Sequence, residues 1–165
     1  MLRDINNRAH EETLCDPSFE RGVRLLEDCA YREAIDAFSA VIDADPVFGE
    51  AYGYRGLAYF SVNMWQEAMD DYQTALSLDS SLEKVYFFRG MLRSQLARYE
   101  EAVNDFNIAI EWDHDFVDAY CYRGACKAFL NDQKGALHDL RFAAQLGHKI
   151  AQKMLSLRGI SWLAM

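Results

Sequence analysis

Apolar side chains recur along this chain at the spacing that puts them on one face of an α-helix. One stripe consists of Trp65, Met69, Tyr72 and Leu76, spaced i, i+4, i+7 and i+11. The same stripe occurs at Tyr31, Ile35, Phe38 and Ile42 and at Tyr99, Val103, Phe106 and Ile110. This periodicity is typical of amphipathic helices that bury one side. It predicts helix pairs at roughly 17–29/31–44, 48–62/66–78, 82–96/100–112 and 116–130/134–146, and a closing helix at roughly 149–157.

Small residues recur with a period of 34. Glycine occupies positions 22, 56, 90 and 124, and twelve residues after each glycine comes an alanine: Ala34, Ala68, Ala102 and Ala136. Four residues further on stands a large apolar side chain: Phe38, Tyr72, Phe106 and Leu140. Glycine and alanine allow two helices to cross closely, and the large residue fills the space between neighbouring pairs. Three equal steps without an insertion indicate an internal repeat.

A period of 34 with glycine, alanine and an aromatic residue at these positions resembles the tetratricopeptide repeat. The resemblance covers about Cys15 to Ile150. It implies an all-α fold, a right-handed superhelical solenoid of antiparallel helix pairs. We expect an N-terminal extension at 1–14, either a short helix or frayed, and repeats at 15–48, 49–82, 83–116 and 117–150. A C-terminal capping helix with an apolar tail is expected at 149–165, because the last repeat has no neighbour to cover it.

The turn inside each helix pair calls for a residue that tolerates a left-handed backbone. Asn63 and Asn131 stand at this place in two of the pairs, and asparagine adopts that conformation readily. Members of the family that the chain resembles usually have glycine there. We therefore expect looser turns at Cys29 and Ala97.

An arginine–aspartate correlation runs through the later repeats. Three arginines have an aspartate sixteen residues further on: Arg55 with Asp71, Arg89 with Asp105 and Arg123 with Asp139. We interpret them as ion pairs that join the two helices of a repeat. The alternative interpretation is a row of arginines that binds the carboxylates of a ligand. In the first repeat, Arg21 is followed sixteen residues later by Ala37, with Asp36 adjacent.

The resemblance also implies a function. Tetratricopeptide-repeat proteins bind partners on a concave face built from the first helix of each repeat, so a protein-binding adaptor, scaffold or chaperone-like holder is expected. Carried over to this chain, that geometry predicts an apolar, aromatic-rich groove for a segment of another protein or peptide. The predicted groove residues are Phe19, Val23, Leu57, Phe60, Lys84, Phe87, Met91 and Phe129. Tyr54, Phe88 and Tyr122 fit either the groove or the core between repeats.

Members resembling the chaperone-docking type use a clamp of Lys, Asn, Asn, Lys and Arg to hold a C-terminal carboxylate. The matching positions in this chain hold Phe19, Val23, Tyr54, Lys84 and Phe88. Only Lys84 fits the clamp, so binding to an EEVD-type tail is not expected.

Charge and composition narrow the classes of partner. The net charge of −9 and a pI near 4.8 argue against a nucleic-acid site, which needs clustered Lys and Arg. Neutral or basic protein partners with apolar anchors are expected instead. No signal-type apolar region occurs near the N-terminus, and the longest uncharged run, 56–66, is shorter than the roughly 20 residues of a membrane span. We therefore expect a soluble, cytoplasmic protein without membrane contact.

The sequence contains no recognisable catalytic or metal-binding motif. It lacks a glycine-rich phosphate loop, a GxSxG turn and an HExxH helix, and its four cysteines lack the CxxC spacing of a zinc site. The four histidines are expected in solvent, and the adjacent His138 and Asp139 should point apart on their helix. We expect no enzyme activity, no cofactor and no metal.

The C-terminal segment 159–165 is apolar and is not needed by the repeats. One interpretation docks it on the last repeat of its own chain. The others place it in its own groove or in that of a neighbouring molecule. A tail in a neighbour's groove would make the chain a self-associating structural protein, a homo-oligomer, and this is the alternative function.

Overall fold

The computed structural model describes residues 17–162, and all regular secondary structure in this range is helical. The helices of this range are α1 (Pro17–Glu27), α2 (Tyr31–Ala44), α3 (Gly49–Ser61), α4 (Trp65–Leu78), α5 (Glu83–Gln95), α6 (Tyr99–Trp112), α7 (Val117–Phe129), α8 (Gln133–Gln145) and α9 (Lys149–Ser156). Every predicted helix begins and ends within two residues of these bounds. The predicted extension at 1–14 and the last three residues of the predicted tail lie outside the described residues.

The described residues divide into two compact units between Phe88 and Arg89. In the first unit α1 packs on α2, α2 on α3, and α3 on α4. In the second unit α6 packs on α7, α7 on α8, and α8 on α9. Within each unit, helices that follow one another in the chain also pack on one another. The predicted all-α class, built from helix-turn-helix pairs, is confirmed.

The helices of a pair cross closely because glycine lies opposite a ring. The facing residues are Gly22 with Phe38, Gly56 with Tyr72, and Gly90 with Phe106. A Cβ atom added to any of these glycines would lie 2.6 Å from a carbon of the facing ring, which is too close for real atoms. At Gly124 the nearest side-chain atoms stand 3.1 Å away, because Leu140 replaces the ring. The predicted close crossing at glycine is therefore confirmed.

All four turns inside the helix pairs have a residue with a left-handed backbone at the same position. The residues are Cys29 (φ 58°), Asn63 (φ 62°), Ala97 (φ 57°) and Asn131 (φ 63°). At Ala97 the turn is closed by two backbone bonds, from its N–H to the Ser94 carbonyl (3.1 Å) and from the Arg98 N–H to the Arg93 carbonyl (2.8 Å). The prediction of looser turns at Cys29 and Ala97 is wrong. The close helix crossing imposes the left-handed backbone even on residues for which it costs about 1 kcal/mol.

The tail contacts the last helix pair of its own chain. Leu155 of α9 is buried in one cluster with Leu140 of α8, and Ile160 and Trp162 pack against that cluster. The Gln145 side-chain amide of α8 also donates a hydrogen bond to the Trp162 carbonyl at 3.2 Å. As far as Trp162, the tail therefore follows the interpretation in which it docks on the last repeat.

Candidate functional site

The predicted arginine–aspartate pairs form within the repeats. The Nε and Nη2 atoms of Arg55 donate to the two carboxylate oxygens of Asp71, each at 2.8 Å. The same two-bond arrangement joins Arg89 to Asp105 (3.1 and 2.7 Å) and Arg123 to Asp139 (2.8 and 2.8 Å). Paired bonds of this kind fix geometry as well as charge, because the guanidinium fork matches the carboxylate. The interpretation as ion pairs between the two helices of a repeat is confirmed.

In two of these arginines, the third guanidinium nitrogen also donates a hydrogen bond. Nη1 of Arg55 donates to the Ser39 hydroxyl at 3.2 Å, and Nη1 of Arg123 donates to the Asn107 side-chain oxygen at 2.9 Å. Ser39 and Asn107 belong to the helix pair that precedes each arginine. All three nitrogens of both arginines thus bind groups of the protein itself. The alternative of a ligand-binding row of arginines is not supported at these positions.

Two of the three aspartates bind a second cation. Nη1 of Arg93 lies 2.7 Å from Asp105, and Nζ of Lys127 lies 2.8 Å from Asp139. Burial opposes ionisation of Asp139, but the hydrogen bonds from Arg123 and Lys127 outweigh it and lower the pKa of this carboxyl group. Asp139 is therefore a structural carboxylate, charged at neutral pH and held by its neighbours.

The predicted groove residues of the first unit differ in exposure. Phe19 and Phe87 are each only 7% exposed, and the Phe19 ring packs against the rings of Phe38, Phe48 and Tyr54. These two side chains, predicted as groove residues, belong to the core in this structure. The half-buried members are Val23, Leu57 and Phe60, and the exposed one is Lys84. Of the residues left open between groove and core, Tyr54 is half-buried and Phe88 is buried.

Lys84 is the one cation among the predicted groove residues. Its Nζ lies 3.5 Å from the Tyr54 hydroxyl. The pKa of Lys84 is raised above its ordinary value, first by Tyr54 and then, against partial burial, by Glu83 and Glu50. Lys84 therefore keeps its positive charge at neutral pH and is surrounded by acceptors from this chain.

An aromatic cleft lies in the second unit between α5, the start of α6, and α7. Its lining residues are Ser94, Gln95, Tyr99, Tyr122, Ala125, Cys126 and Phe129, around a volume of about 360 Å³. The rings of Phe129 and Tyr99 stack in parallel, with centroids 4.6 Å apart and planes 3° apart. Phe129 is nevertheless 68% exposed and Tyr122 39% exposed. We call this feature the aromatic cleft.

The sequence predicted only part of this cleft. The sequence predicts Phe129 as a groove residue and Tyr122 as a groove or core residue. Met91, also predicted for the groove, is half-buried and does not line the cleft. Tyr99 was placed in the apolar stripe of α6. It begins that helix, where its ring stacks on Phe129. Its position at the start of the stripe is a signal that could have separated it from the buried members.

The cleft offers binding surface rather than chemistry. Burial raises the pKa of the Cys126 thiol to about 11, so this thiol is protonated and a weak nucleophile at neutral pH. The pKa of Tyr122 is also raised, by burial and then by Cys121 and Asp118. In the described part of the chain no group of three or more His, Cys, Asp or Glu could hold a metal ion. Within the same residues no helix is long and apolar enough to cross a membrane.

Two histidines have structural roles that the sequence did not reveal. Nδ1 of His114 lies 2.6 Å from the Ile110 carbonyl. His148 caps α9, because its Nδ1 accepts from the Ala151 N–H at 3.1 Å while its Nε2 lies 2.9 Å from Asp118. The expectation of solvated histidines is wrong for His148, whose side chain is only 12% exposed, whereas His114 is exposed. His138 does lie in solvent, yet its Nδ1 approaches Asp139 to 3.4 Å, closer than expected for adjacent residues.

Comparison with known families identifies the repeat. Two family models, each described as a tetratricopeptide repeat, match residues 49–82 and residues 83–116. No curated protein matches the chain.

Solved structures of the same kind resemble the chain over most of its length. The first TPR domain of Spaghetti (RPAP3), bound to the HSP90 peptide SRMEEVD, is 29% identical, with a TM-score of 0.65, and the match covers 69% of this chain and 90% of that one. The second TPR domain of human RPAP3, in complex with the HSP70 peptide SGPTIEEVD, is 26% identical (TM-score 0.61; 67% and 92% covered). MamA is 22% identical (TM-score 0.70; 88% of each chain covered), a likeness of fold alone.

Proposed function

Because the chain is a tetratricopeptide-repeat protein with several repeats, we propose that it binds a segment of another polypeptide by an apolar anchor held in the aromatic cleft. Domains of this family generally mediate protein–protein interactions, and two similar solved domains hold peptides. We also propose that residues 15–150 form four repeats and that a C-terminal cap begins at residue 149. It assigns no reaction to the protein.

The observation that carries the proposal is the exposed ring of Phe129. A phenylalanine that is 68% exposed at the end of a helix leaves apolar area in water. The parallel stack on Tyr99 holds the ring in one orientation, so a partner would not have to order it. Rigid aromatic side chains beside a concavity are typical of residues that dominate binding energy.

The size and edge of the cleft indicate what would enter it. A volume of about 360 Å³ accommodates one large side chain, such as that of leucine, phenylalanine or tryptophan. Ser94 and Gln95 at its edge supply polar groups for the backbone of the bound segment. We also propose that the partner contacts Val23, Leu57, Phe60 and Lys84, which lie on the first helices of their repeats in the first unit.

We propose a neutral or basic partner rather than an acidic tail. The peptides of the two similar solved domains both end in EEVD. Of the five clamp positions only Lys84 is a cation here, and it already lies beside Tyr54, Glu83 and Glu50. A cytoplasmic location accords with the thiols of Cys29, Cys121 and Cys126, which are free.

A peptide selection tests the proposal. The full chain is used to select binders from a random peptide library displayed on phage, in parallel with Phe129→Asp. The control is Trp112→Asp, because Trp112 is also an exposed aromatic (58%) at the end of a helix but does not line the cleft. We expect the wild type and the control to enrich peptides with one aromatic or large aliphatic residue, and Phe129→Asp to enrich none of them. Enrichment of the same peptides by Phe129→Asp would contradict the proposal.

Self-association through the tail is the weaker proposal. Ile160 and Trp162 already pack on the last helix pair of their own chain, which leaves less apolar area for a neighbour. Sedimentation of the full chain over a range of concentrations, compared with a variant lacking residues 159–165, decides between the two. Mass that rises with concentration only in the full chain would establish the tail as the oligomer contact.

A further inference from the structure

A second concavity lies on α8, away from the residues of the aromatic cleft. Its described lining residues are Lys134, Leu137, His138, Arg141, Phe142 and Gln145, around a volume of about 400 Å³. They follow one another at three- and four-residue steps and so form a single face of the helix. Leu137 and Phe142 supply apolar area, and the Phe142 ring packs on Tyr120 with centroids 4.3 Å apart. We call this feature the basic pocket.

Two cations of the basic pocket take no part in the ion pairs of the described residues. Within residues 17–162, neither Lys134 nor Arg141 forms an ion pair. The one acidic residue of α8 is Asp139, which is 1% exposed and already bound by Arg123 and Lys127. The pocket therefore presents positive charge to solvent in a chain whose net charge is −9.

The internal repeat shows that the fold does not require these cations. The residues 34 positions before Lys134, His138 and Arg141 are Glu100, Asn104 and Asn107, and those 68 positions before are Gln66, Asp70 and Gln73. Those 102 positions before are Arg32, Asp36 and Ser39. No other equivalent helix thus carries two cations on this face. A pair of cations on this face occurs in α8 alone among the four equivalent helices, so the packing of a repeat does not require it.

The change of charge extends beyond the pocket. Residues 99–122 contain seven acidic residues and no lysine or arginine, whereas residues 123–162 contain seven lysines or arginines and two acidic residues. Both of those two acids, Asp132 and Asp139, accept hydrogen bonds within the protein. The C-terminal end therefore attracts anions at close range, although the chain as a whole repels them.

We propose that the basic pocket binds an acidic segment of another protein, one that places an apolar side chain between carboxylates. Lys134 and Arg141 would pair with the carboxylates, and Leu137 and Phe142 would contact the apolar side chain. A nucleic acid fits this surface less well, because its floor is apolar and only a few cations are clustered there. The site differs in place and in charge preference from the aromatic cleft, and the two proposals can fail separately.

The test uses a fluorescent peptide with Leu-Phe flanked on each side by two Glu, and a counterpart in which Gln replaces every Glu. Anisotropy at low ionic strength measures binding to the full chain. We expect the acidic peptide to bind the wild type, and to bind Lys134→Glu/Arg141→Glu at least tenfold more weakly. Added salt should weaken its binding to the wild type. The matched control is Lys149→Glu/Lys153→Glu, which makes the same charge change on α9 outside the pocket. The control and Phe129→Asp should bind like the wild type.

Several results would overturn the proposal. One is absence of binding, and another is equal binding of the Gln peptide. An equal loss in the Lys149/Lys153 control would show that only the total charge matters, and a loss in Phe129→Asp would move the peptide to the aromatic cleft. Binding that appears only after residues 163–165 are deleted would make the chain's own end the occupant. If the wild type is a dimer and Lys134→Glu/Arg141→Glu is a monomer, the occupant is a second copy of the chain. If an RNA oligonucleotide binds more strongly than the acidic peptide, the surface is a nucleic-acid site.

Discussion

The two units of this protein share one construction and differ in what they show to solvent. Both have left-handed turns of the same geometry, and both have glycine facing a ring where the helices cross. Yet residues 17–88 contain five lysines or arginines and thirteen acidic residues, whereas residues 89–162 contain ten and nine. The first unit buries Phe19 and Phe87, and the second exposes Phe129. The repeat thus constrains the interior and leaves the surface free to acquire separate binding chemistries.

The two units also differ in the number of cations that a buried aspartate binds. Asp71 in the first unit binds the single cation Arg55, whereas Asp139 in the second binds Arg123 and Lys127. A carboxylate that holds two partly buried cations has more to lose when it is removed, because both cations are left without a partner. Substitutions at matched positions of the two units test this difference and the shared construction.

The largest effect is expected at the doubly paired aspartate. Asp139→Asn leaves Arg123 and Lys127 uncompensated and should lower the free energy of unfolding by about 3 kcal/mol. Asp71→Asn leaves only Arg55 and should cost about 2 kcal/mol. Urea denaturation followed by circular dichroism measures both values. Equal losses would contradict the importance of the second cation.

The pH dependence of stability tests the ion pairs of Asp139 in a second way. The pKa of Asp139 is lowered in the folded state, so its stabilising contribution is present above the unfolded value of about 4 and is lost as the pH falls through the folded value. The wild type should therefore lose its advantage over Asp139→Asn below about pH 4. An advantage that persists unchanged at lower pH would show that the aspartate acts through packing.

The next effect is expected where helices cross. Gly90→Ala places a Cβ 2.6 Å from the Phe106 ring and should destabilise the protein by about 2 kcal/mol. At Gly124 the nearest atoms lie at 3.1 Å, so Gly124→Ala should cost less than about 1 kcal/mol. Thermal unfolding of the two variants measures the order. A greater loss at Gly124 would contradict the role of the facing ring.

A gain of stability is expected at Tyr72. Its hydroxyl is buried without a hydrogen-bond partner among the described residues, while the equivalent positions hold Phe38 and Phe106. Tyr72→Phe removes an unsatisfied polar group and should raise the free energy of unfolding by about 1 kcal/mol. The reverse change, Phe106→Tyr, serves as the control and should lower it. Urea denaturation that shows a loss for Tyr72→Phe would mean that the hydroxyl has a partner.

The smallest effect is expected at the turns. Ala97 has a left-handed backbone (φ 57°), which glycine adopts without a steric penalty. Ala97→Gly should stabilise the protein by about 0.5 kcal/mol, and Asn63→Gly should change it less, because asparagine tolerates this conformation. Differential scanning calorimetry compares the midpoints. Destabilisation by Ala97→Gly would show that the turn is not strained.

The sequence predicted the helices and the ion pairs because both repeat with the period of the fold. A stripe at helical spacing fixes a buried face, and a constant separation of sixteen residues places Arg55 beside Asp71 across the turn. The sequence could not predict the left-handed backbone at Cys29 and Ala97, because the crossing of two helices imposes it and the residue type does not.

Exposure of the groove residues was harder to predict. Phe19 and Phe129 both lie on first helices, but the rings of Phe38, Phe48 and Tyr54 cover Phe19, whereas Phe129 lies at a helix end and stacks only one face on Tyr99. That difference depends on which helices lie nearby. The charges of the basic pocket are visible in the sequence, but the concavity between them is a property of the folded chain.

Solution NMR gives the most direct test of the central claim, that the aromatic cleft is the surface that holds a partner. An isotope-labelled full chain is titrated with a selected peptide that carries one aromatic anchor and no acidic residue. The account predicts that the largest amide shift changes fall at residues 94–99 and 122–129, around Phe129. Shift changes centred on residues 134–145 of α8, or on the first unit alone, would contradict it.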